Sequence, residues 1–371
     1  MIRDFGFGIE EEHQIVDLGS GELCSEGERL LSRARGVLGD CVQPELYQAQ
    51  IETVTGICRT LDDARRELVR LRGLLLGAAG SIGLGIGTAG THPFSDWRHQ
   101  QVTRSARYQR LLADYRQVAR EQVLFGCHVH VGISDPEAVV QTMNRVRAWL
   151  PTMLALAANS PFWLGADTGY ASYRAQVWRR WPMAGMPPAL GCRAEYDALV
   201  DGLVATGVIR DATKMYWDVR PSARYPTIEF RVTDACTTVD EALMVAGLCR
   251  GLARTCCEEA RRDHEPPALP SPALASPALL SAAKWQAARS GLAGQLVDPR
   301  TGEVVPVPEM ARRLLAYLRP VLEDEGDWEE VGELVKRVLT EGNGAVRQRR
   351  ALHRGGFAAV MEAIATTTAV S

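Results

Sequence analysis

The chain has 371 residues, 46% of them hydrophobic and 23% charged, enough to bury a large core in one big domain or two smaller ones. The formal net charge is −3 and there is no basic tract, so the charge pattern does not favour nucleic acid or an anionic membrane as a partner. The nine cysteines contain no C-x-x-C pair, and the chain starts with a strand pattern instead of a signal peptide. We therefore predict a reduced, cytoplasmic protein.

Five stretches alternate between apolar residues and polar residues that can bind ligands, which is the pattern of half-buried strands. A solvated sheet face would carry Lys, Thr and Ser, whereas the polar face here carries Glu, Gln, His and Arg. Such side chains bind divalent cations and phosphates, so we expect a metal-nucleotide site on one face of a sheet. The five predicted strands are Phe5–Val16, Gln48–Gly56, Phe125–Ile133, Met215–Arg220 and Thr227–Asp234.

Helical patterns lie between and after these strands. Their interleaving with the strands predicts an α+β fold, an antiparallel sheet with helices on one face and the active site on the other. The predicted helices cover residues 60–76, 105–123, 135–159, 194–205 and 239–261.

Two further segments set the predicted domain organisation. Residues 73–90 are eighteen uncharged residues, long enough to span a membrane, but seven of them are Gly. We predict a helix end, a turn and a strand there instead of a span. Residues 265–279 form a proline-rich connector to a C-terminal helical part with a turn at 298–302. We assign residues 1–371 to a single catalytic domain.

Two residue pairs with a spacing of two dominate the polar face. Glu10 and Glu12 would project from one face of a strand about 7 Å apart, as in a Mg²⁺ site or as on a solvated edge. His128 and His130 repeat this geometry with imidazoles, which is typical of zinc enzymes or of hydrogen-bonded surface histidines. The glycines at 126 and 132 leave that face open to a ligand.

Glu229 and Arg231 place a carboxylate beside a guanidinium, with Arg220 and Arg224 just upstream. Taken alone, this is a surface ion pair of little energetic value. A polyphosphate between the arginines and bound cations would relieve the repulsion among so many carboxylates. The loop that follows residue 158 adds groups that either hold a carboxylate substrate or pack on the core: Asn159, Asp167, Tyr170, Tyr173 and Arg174.

Seven motifs in this order carry a resemblance to a known family. They are Gly8–Glu12, Gln48–Glu52, Gly126–Gly132, Ala158–Trp163, Asp167–Arg174, Tyr216–Pro221 and Ile228–Arg231. Together they resemble the bacterial YbdK-type carboxylate–amine ligases, also called glutamate–cysteine ligase type 2. The resemblance covers residues 5 to about 350. It implies a fold similar to the glutamine synthetase catalytic domain, with metals and ATP on the concave face of the sheet.

The resemblance also implies roles for individual residues. His130 would contact the nucleotide phosphates, and Arg220 and Arg231 would neutralise the transferring phosphoryl group, with Glu229 among the catalytic residues. The implied ligands of Mg²⁺, or of Mn²⁺ in its place, are Glu10, Glu12, Glu52, His128 and Glu229. The implied substrate contacts are Gln50, Asn159, Tyr170 and Arg174.

The implied reaction joins a carboxylate to an amine. ATP phosphorylates the carboxylate, and the amine then displaces phosphate from the acyl phosphate. Glutamate and cysteine are the implied substrates, and a homodimer is the implied assembly. Two alternatives stay open: a zinc-dependent amidohydrolase using His128 and His130, and a regulator that binds nucleotide without turnover. Because the ligand face is not the core face, we expect Glu12→Gln and Glu229→Gln to stop metal-dependent turnover and to leave the fold intact.

Overall fold

The computed structural model describes residues 5–262 and 276–370. Its main sheet has seven strands, all paired antiparallel. The strands are, in chain order, β1 (Phe7–Asp17), β2 (Val42–Pro44), β3 (Gln50–Val54), β4 (Leu84–Gly87), β5 (Cys127–Gly132), β6 (Phe162–Trp163), β7 (Ala166–Asp167), β8 (Val219–Pro221), β9 (Thr227–Phe230), β10 (Gln295–Val297) and β11 (Val304–Pro306).

The order of strands across the main sheet is β2-β3-β1-β5-β9-β8, and β4 pairs with the C-terminal part of β1. The other four strands form two small hairpins, β6 with β7 and β10 with β11. The second hairpin closes around the turn that the sequence predicts at 298–302.

Twelve α-helices lie in the described ranges. They are α1 (Gly27–Leu38), α2 (Leu61–Gly80), α3 (Ala106–Arg120), α4 (Pro136–Val146), α5 (Leu150–Ala157), α6 (Arg174–Trp178), α7 (Arg193–Ala205), α8 (Val239–Arg262), α9 (Pro277–Ser290), α10 (Val307–Glu325), α11 (Trp328–Glu341) and α12 (Gly344–Val370). Side-chain caps explain three of the starts: Thr60 forms a capping box with Asp63, Ser105 caps α3, and Asp135 caps α4.

Three elements differ from the sequence prediction, and one of them is the predicted strand Thr227–Asp234, which ends at Phe230 as β9. The predicted helix 135–159 is divided into α4 and α5 by a short 3₁₀ turn, Arg147–Trp149. Pro151, in the first turn of α5, has no N–H with which to continue the helical ladder. In place of the predicted strand Met215–Arg220, the structure has the shorter β8, Val219–Pro221, and an isolated bridge between Trp217 and Gly185. Arg220 donates to the carbonyls of Thr213 and Met215 at 3.0 and 2.8 Å.

The core lies on the apolar face of the sheet. Helix α8 runs through it and contacts α2, α4, α10, α11 and β5. Apolar side chains of the sheet, such as Ile9, Val129 and Ile228, share one cluster with Met310 and Val331 from the helices beyond the connector. The predicted connector falls outside the described residues as far as position 275, and its last residues already belong to α9.

A buried ion pair fixes β1 against this core. Glu11 points to the opposite face from its neighbours Glu10 and Glu12, and it accepts hydrogen bonds of 3.0 and 2.6 Å from Arg72 of α2. Arg72 also donates to two backbone carbonyls just before α8, those of Cys236 and Thr237. A buried pair of this kind is tolerated because its polar atoms are satisfied. It holds β1 in place directly beneath the polar face.

Apolar side chains cover part of the polar face. Side chains from α3, α6 and α12 and the loops around them form a second apolar cluster over one end of the face, including Tyr47, Tyr108, Phe162, Trp181 and Met361. The open face predicted from the alternation is therefore a cavity in the folded chain.

The segment 73–90 contains the end of α2, a turn and β4, as predicted. Among the described residues, no helix combines the length and the apolar character required to cross a membrane. All nine cysteines lie in the described ranges, and none of them forms a disulfide there.

Candidate active site

A cavity of about 880 Å³ lies over the polar face of the sheet. Its lining comes from β1, β3, β5, β8 and β9, from the loop after β2, and from α3 and α6. A volume of this size lies in the range of small-molecule and cofactor sites.

The strand register explains why the predicted ligands meet there. Glu12 on β1 is directly opposite Glu52 on β3, and Glu10 is opposite His128 on β5. One step further, His130 is opposite Glu229 on β9, which is opposite Arg220 on β8. Facing residues on neighbouring strands point to the same side, so this register assembles one polar surface from five strands.

Ligand-type atoms on this surface form two compact groups. Glu10, His128 and Glu229 make the first group, and Glu12, Glu45 and Glu52 make the second. In each group, one ligand atom from every residue lies within 4.8 Å of the others. We call them the imidazole cluster and the carboxylate cluster.

Nearby arginines compensate the negative charge of the carboxylate cluster only in part. Burial, followed by the charge of Glu45, raises the pKa of Glu12 to about 8, although Arg174, Arg231 and a 2.6 Å hydrogen bond from the Gly126 amide oppose the change. Burial also raises the pKa of Glu45.

Glu52, the third carboxylate of this cluster, shows the same effect more strongly. Burial and the charges of Glu10, Glu45 and Glu12 raise its pKa well above the ordinary value. Crowded carboxylates that resist ionisation are relieved by a cation, and Mg²⁺ and Mn²⁺ prefer such oxygen ligands. The residues therefore fit a divalent cation.

The imidazole cluster is already poised to bind a cation. Burial and the charge of Arg231 lower the pKa of His128 to about 4, so the ring is neutral, the form that binds metals. Both ring nitrogens of His128 are buried and have no hydrogen-bonding partner among the described residues, and Nδ1 lies 3.4 Å from Glu10. Burial acts to raise the pKa of Glu10, but His128 and His130 outweigh it and hold that pKa well below the ordinary value.

His130 differs from His128. Its Nε2 lies 3.1 Å from Glu10 and its Nδ1 lies 2.9 Å from the Thr227 hydroxyl, so both ring nitrogens are engaged. Burial lowers its pKa, but hydrogen bonding to Glu10 and the charges of Glu229 and Glu10 raise it overall. Only one of the two histidines is thus suited to hold a metal, which weighs against the zinc site that the His-x-His spacing leaves open.

Three arginines border the clusters. Arg220 donates two hydrogen bonds of 2.8 and 3.1 Å to the Glu229 carboxylate, and Arg231 donates to the same carboxylate. Burial acts to raise the pKa of Glu229, but these two guanidinium charges hold it far below the ordinary value. Arg231 keeps a buried Nε without a partner among the described residues, whereas Arg220 also binds two backbone carbonyls.

Arg174 lies next to Gly126. A Cβ at position 126 would come within 2.4 Å of the Arg174 Nη2 and 2.7 Å of the His128 Nε2. The space that the sequence analysis reserves for a ligand is filled by these two side chains. The Trp178 ring lies 5.8 Å from the guanidinium carbons of both Arg174 and Arg231, a cation–π arrangement.

The predicted substrate contacts separate into two sets. Gln50 and Arg174 line the cavity, although the amide of Gln50 already donates to Leu124 and accepts from Tyr47. Asn159 and Tyr170 do not line it. The Tyr170 hydroxyl instead accepts a 3.2 Å hydrogen bond from the Trp285 indole.

Asn159 belongs to a buried network behind Arg174. Its side-chain amide donates to Ala235 and Thr237 and accepts from Gln348. Its backbone N–H donates to Asp234 at 2.7 Å. The network supports the loop before α6, so the structure gives Asn159 a scaffolding position.

The family model of glutamate–cysteine ligase family 2 matches residues 6–363 of this chain. The chain belongs to this family. The predicted family and its glutamine synthetase-like antiparallel fold are confirmed.

Two relatives show the extent of the similarity. A Mycolicibacterium smegmatis protein with the provisional name glutamate–cysteine ligase 2-2 is 43% identical over 346 residues, covering 93% of this chain and 85% of that protein. A Frankia alni protein with the provisional name glutamate–cysteine ligase 2-3 is 43% identical over 355 residues, but the chain covers only 40% of its length.

A solved structure supports the fold. Glutamate–cysteine ligase from Francisella tularensis, in a crystal structure with AMP, superposes with a TM-score of 0.72 at 13% identity. The superposition covers 99% of this chain and 89% of that one.

Two side chains that line the cavity, the carboxylate of Glu45 and the ring of Trp178, were not identified from the sequence. Glu45 completes the carboxylate cluster, but it follows β2 in a loop where no alternation marks it. Trp178 lies on α6, in a stretch that the sequence analysis does not assign to a helix. The Pro44-Glu45 step beside a short strand was the only local signal, and it is too common to identify a ligand.

Proposed function

We propose that this protein is an ATP- and Mg²⁺-dependent carboxylate–amine ligase that forms an amide through an acyl phosphate. The observation that carries the proposal is the pair of ligand clusters on adjoining strands, bordered by buried arginines, in a chain of glutamate–cysteine ligase family 2. The provisional names of its relatives support glutamate as the acid and cysteine as the amine. The AMP bound to the Francisella enzyme supports an adenine nucleotide as the phosphoryl donor.

The two clusters would divide the work of holding divalent cations. Glu10, His128 and Glu229 would hold one cation, and Glu12, Glu45 and Glu52 would hold another. The chemistry that bound Mg²⁺ supplies is neutralisation of the phosphate oxygens while the phosphoryl group transfers.

The arginines would orient and stabilise the reacting groups. Arg231 has an unpartnered Nε within the described structure and can donate to a phosphoryl oxygen while it holds Glu229. Arg220 donates a hydrogen bond to each carboxylate oxygen of Glu229 and so fixes the position of that side chain. Arg174 and Gln50 line the part of the cavity nearest the carboxylate cluster, where we place the acid substrate.

Bond changes in the reaction balance in two steps. A substrate carboxylate oxygen attacks the γ-phosphorus, and the bond to ADP breaks. The amine then attacks the acyl carbon and loses one proton, the bond from that carbon to the phosphate oxygen breaks, and inorganic phosphate leaves. That phosphate keeps one oxygen from the original carboxylate.

Family membership gives no support to the two alternatives. The engaged ring nitrogens of His130 also disfavour a zinc-dependent amidohydrolase that uses both histidines. Stoichiometric, tightly bound zinc in the isolated protein would support the zinc-dependent amidohydrolase instead.

Assembly and location are part of the same proposal. A homodimer is supported by the family resemblance, and light scattering of the isolated protein would test it. A cytoplasmic location is supported by nine cysteines that form no disulfide in the described ranges, because reduced cysteines are typical of that compartment.

An oxygen-transfer experiment tests the reaction. The protein is incubated with ATP, Mg²⁺, glutamate labelled with ¹⁸O in its γ-carboxylate, and a panel of amines that includes cysteine and hydroxylamine. We expect ADP and one ¹⁸O atom in the phosphate for each amide formed. The control uses labelled glutamate without an amine.

Three results would contradict the proposed reaction. They are release of AMP, phosphate without label when an amide is formed, and absence of nucleotide turnover with every acid and amine of a panel extended to other amino acids.

A further inference from the structure

A second, basic cavity adjoins the main one. It has a volume of about 230 Å³ and lies between α3 and the segment 210–224. We call it the basic pocket. Its cationic lining residues are Arg107, Arg110, Arg210, Lys214 and Arg224.

The two acidic residues of the basic pocket are already engaged. Asp114 pairs with Arg210 through hydrogen bonds of 2.9 and 3.0 Å. Asp211 accepts from the backbone N–H of Thr213 at 2.8 Å and from its hydroxyl, and so caps a 3₁₀ turn. Neither carboxylate contacts a second cationic side chain within 4.0 Å in the described part of the chain.

Four positive charges are therefore left without an ion pair in the residues described: Arg107, Arg110, Lys214 and Arg224. Lys214 is half-buried among them. Burial and the charge of Arg107 lower the pKa of Lys214; the charge of Asp211 opposes this change, but Arg220 and Arg224 add to it. An excess of like charge around a half-buried lysine is costly unless an anion shares the space.

The basic pocket opens toward the proposed active site. Arg107, Leu111, Thr213 and Arg224 line both cavities. An anionic group on a ligand in the main cavity could therefore reach these cations without leaving the protein surface. Guanidinium groups bind phosphate and carboxylate oxygens through paired hydrogen bonds, which favours anions of these two kinds.

We propose that the basic pocket binds an anionic oxygen group, phosphate or carboxylate, on a ligand that extends from the main cavity. The inference rests on the proposed function and deepens it, because it requires a substrate with an anionic group beyond the reacting carboxylate and phosphoryl centres. That group belongs either to the nucleotide or to the acid substrate.

Charge-removing variants test the basic pocket. Lys214→Met and Arg224→Gln, alone and combined, remove cations that make no ion pair, so the fold should tolerate them. Lys336→Met is the matched control, because it removes one lysine charge from an exposed position of α11 on the helical side of the sheet. Thermal melting checks that all variants are folded.

Calorimetric titrations measure binding in three arms: ATP with Mg²⁺, glutamate, and inorganic tripolyphosphate. We expect the double variant to weaken binding about tenfold in the tripolyphosphate arm and in one of the other two, with little change in Lys336→Met. Between the other two arms, a loss with ATP alone assigns the pocket to the nucleotide, and a loss with glutamate alone assigns it to the acid.

The outcomes separate this inference from the proposed reaction. Unchanged affinities of the double variant in every arm would contradict anion binding by the basic pocket and would leave the proposed ligase reaction untouched. If the double variant binds tripolyphosphate more weakly but the wild type forms no amide, anion binding by the basic pocket is supported and the proposed ligase reaction is contradicted.

Discussion

Glu52→Gln should abolish cation-dependent turnover and leave the cation-free protein at least as stable as the wild type. The loss of activity follows because the carboxylate cluster loses one of its three oxygen ligands. A decrease of at least about 100-fold is expected, since even residues that only support a metal ligand cost roughly 10- to 100-fold. The change in stability has the opposite sign from that of most buried substitutions.

The sign follows from the pKa of Glu52, which burial and neighbouring carboxylates raise well above its ordinary value. The unfolded chain releases this proton at lower pH than the folded chain does, so the residue costs stability as pH rises through that interval. At neutral pH, glutamine removes the cost. Melting curves in a chelator should show an equal or higher Tm for the variant, and added Mg²⁺ should raise the Tm of the wild type much more than that of the variant.

Unlike Glu52→Gln, Glu229→Gln should destabilise the folded protein. From the strand alternation alone, Glu12→Gln and Glu229→Gln are both expected to leave the fold intact, but the structure contradicts this for Glu229. Glu229 is held by Arg220 and Arg231, and its side chain is only 3% exposed. Glutamine would leave two buried cations without their partner, a loss of about 3 kcal/mol. A large drop in Tm for Glu52→Gln, or none for Glu229→Gln, would contradict this account of the charges.

Arg231→Lys should lower kcat by about 1,000-fold, with a much smaller effect on nucleotide binding. Lysine keeps the positive charge but loses the planar fork that holds Glu229 and leaves an Nε free for the phosphoryl group. It also loses the stacking contact with Trp178. Arginines that stabilise phosphoryl-transfer transition states are worth about 10³ to 10⁵ in kcat, which sets the expected size.

Steady-state kinetics and ATP titration of the same variant check this expectation. Arg33→Lys is a suitable control, because Arg33 bonds only to the Ser81 hydroxyl among the described residues and lies away from the cavity. A kcat within tenfold of the wild type would show that the geometry of the guanidinium is unimportant. A rise in KM for ATP with kcat unchanged would assign Arg231 to binding alone.

The polar surface could be predicted from sequence because it depends on strand alternation. Glu10, Glu12, Glu52, His128 and Glu229 each lie on a strand whose period of two fixes their side, and all five line the cavity. The register that brings them face to face is long-range, yet every alternative register shifted by one residue would bury these charges in the core.

Loop and network residues could not be predicted in the same way. Glu45 follows β2, where no period fixes the direction of its side chain, and it joins the cluster through tertiary packing. Asn159 and Tyr170 belong to motifs of the family, but a motif does not say whether a side chain touches a ligand or supports the loop behind it. Asn159 is buried and makes hydrogen bonds to three separate segments, through Thr88, Thr237 and Gln348, which only the folded chain can show.

The assignment of two cation sites is tested most directly by anomalous diffraction from crystals grown with Mn²⁺ and a non-hydrolysable ATP analogue. The account predicts two manganese peaks, one among Glu10, His128 and Glu229 and the other among Glu12, Glu45 and Glu52, with the triphosphate between them and Arg231. Manganese bound away from both clusters, or a nucleotide bound elsewhere on the protein, would contradict it.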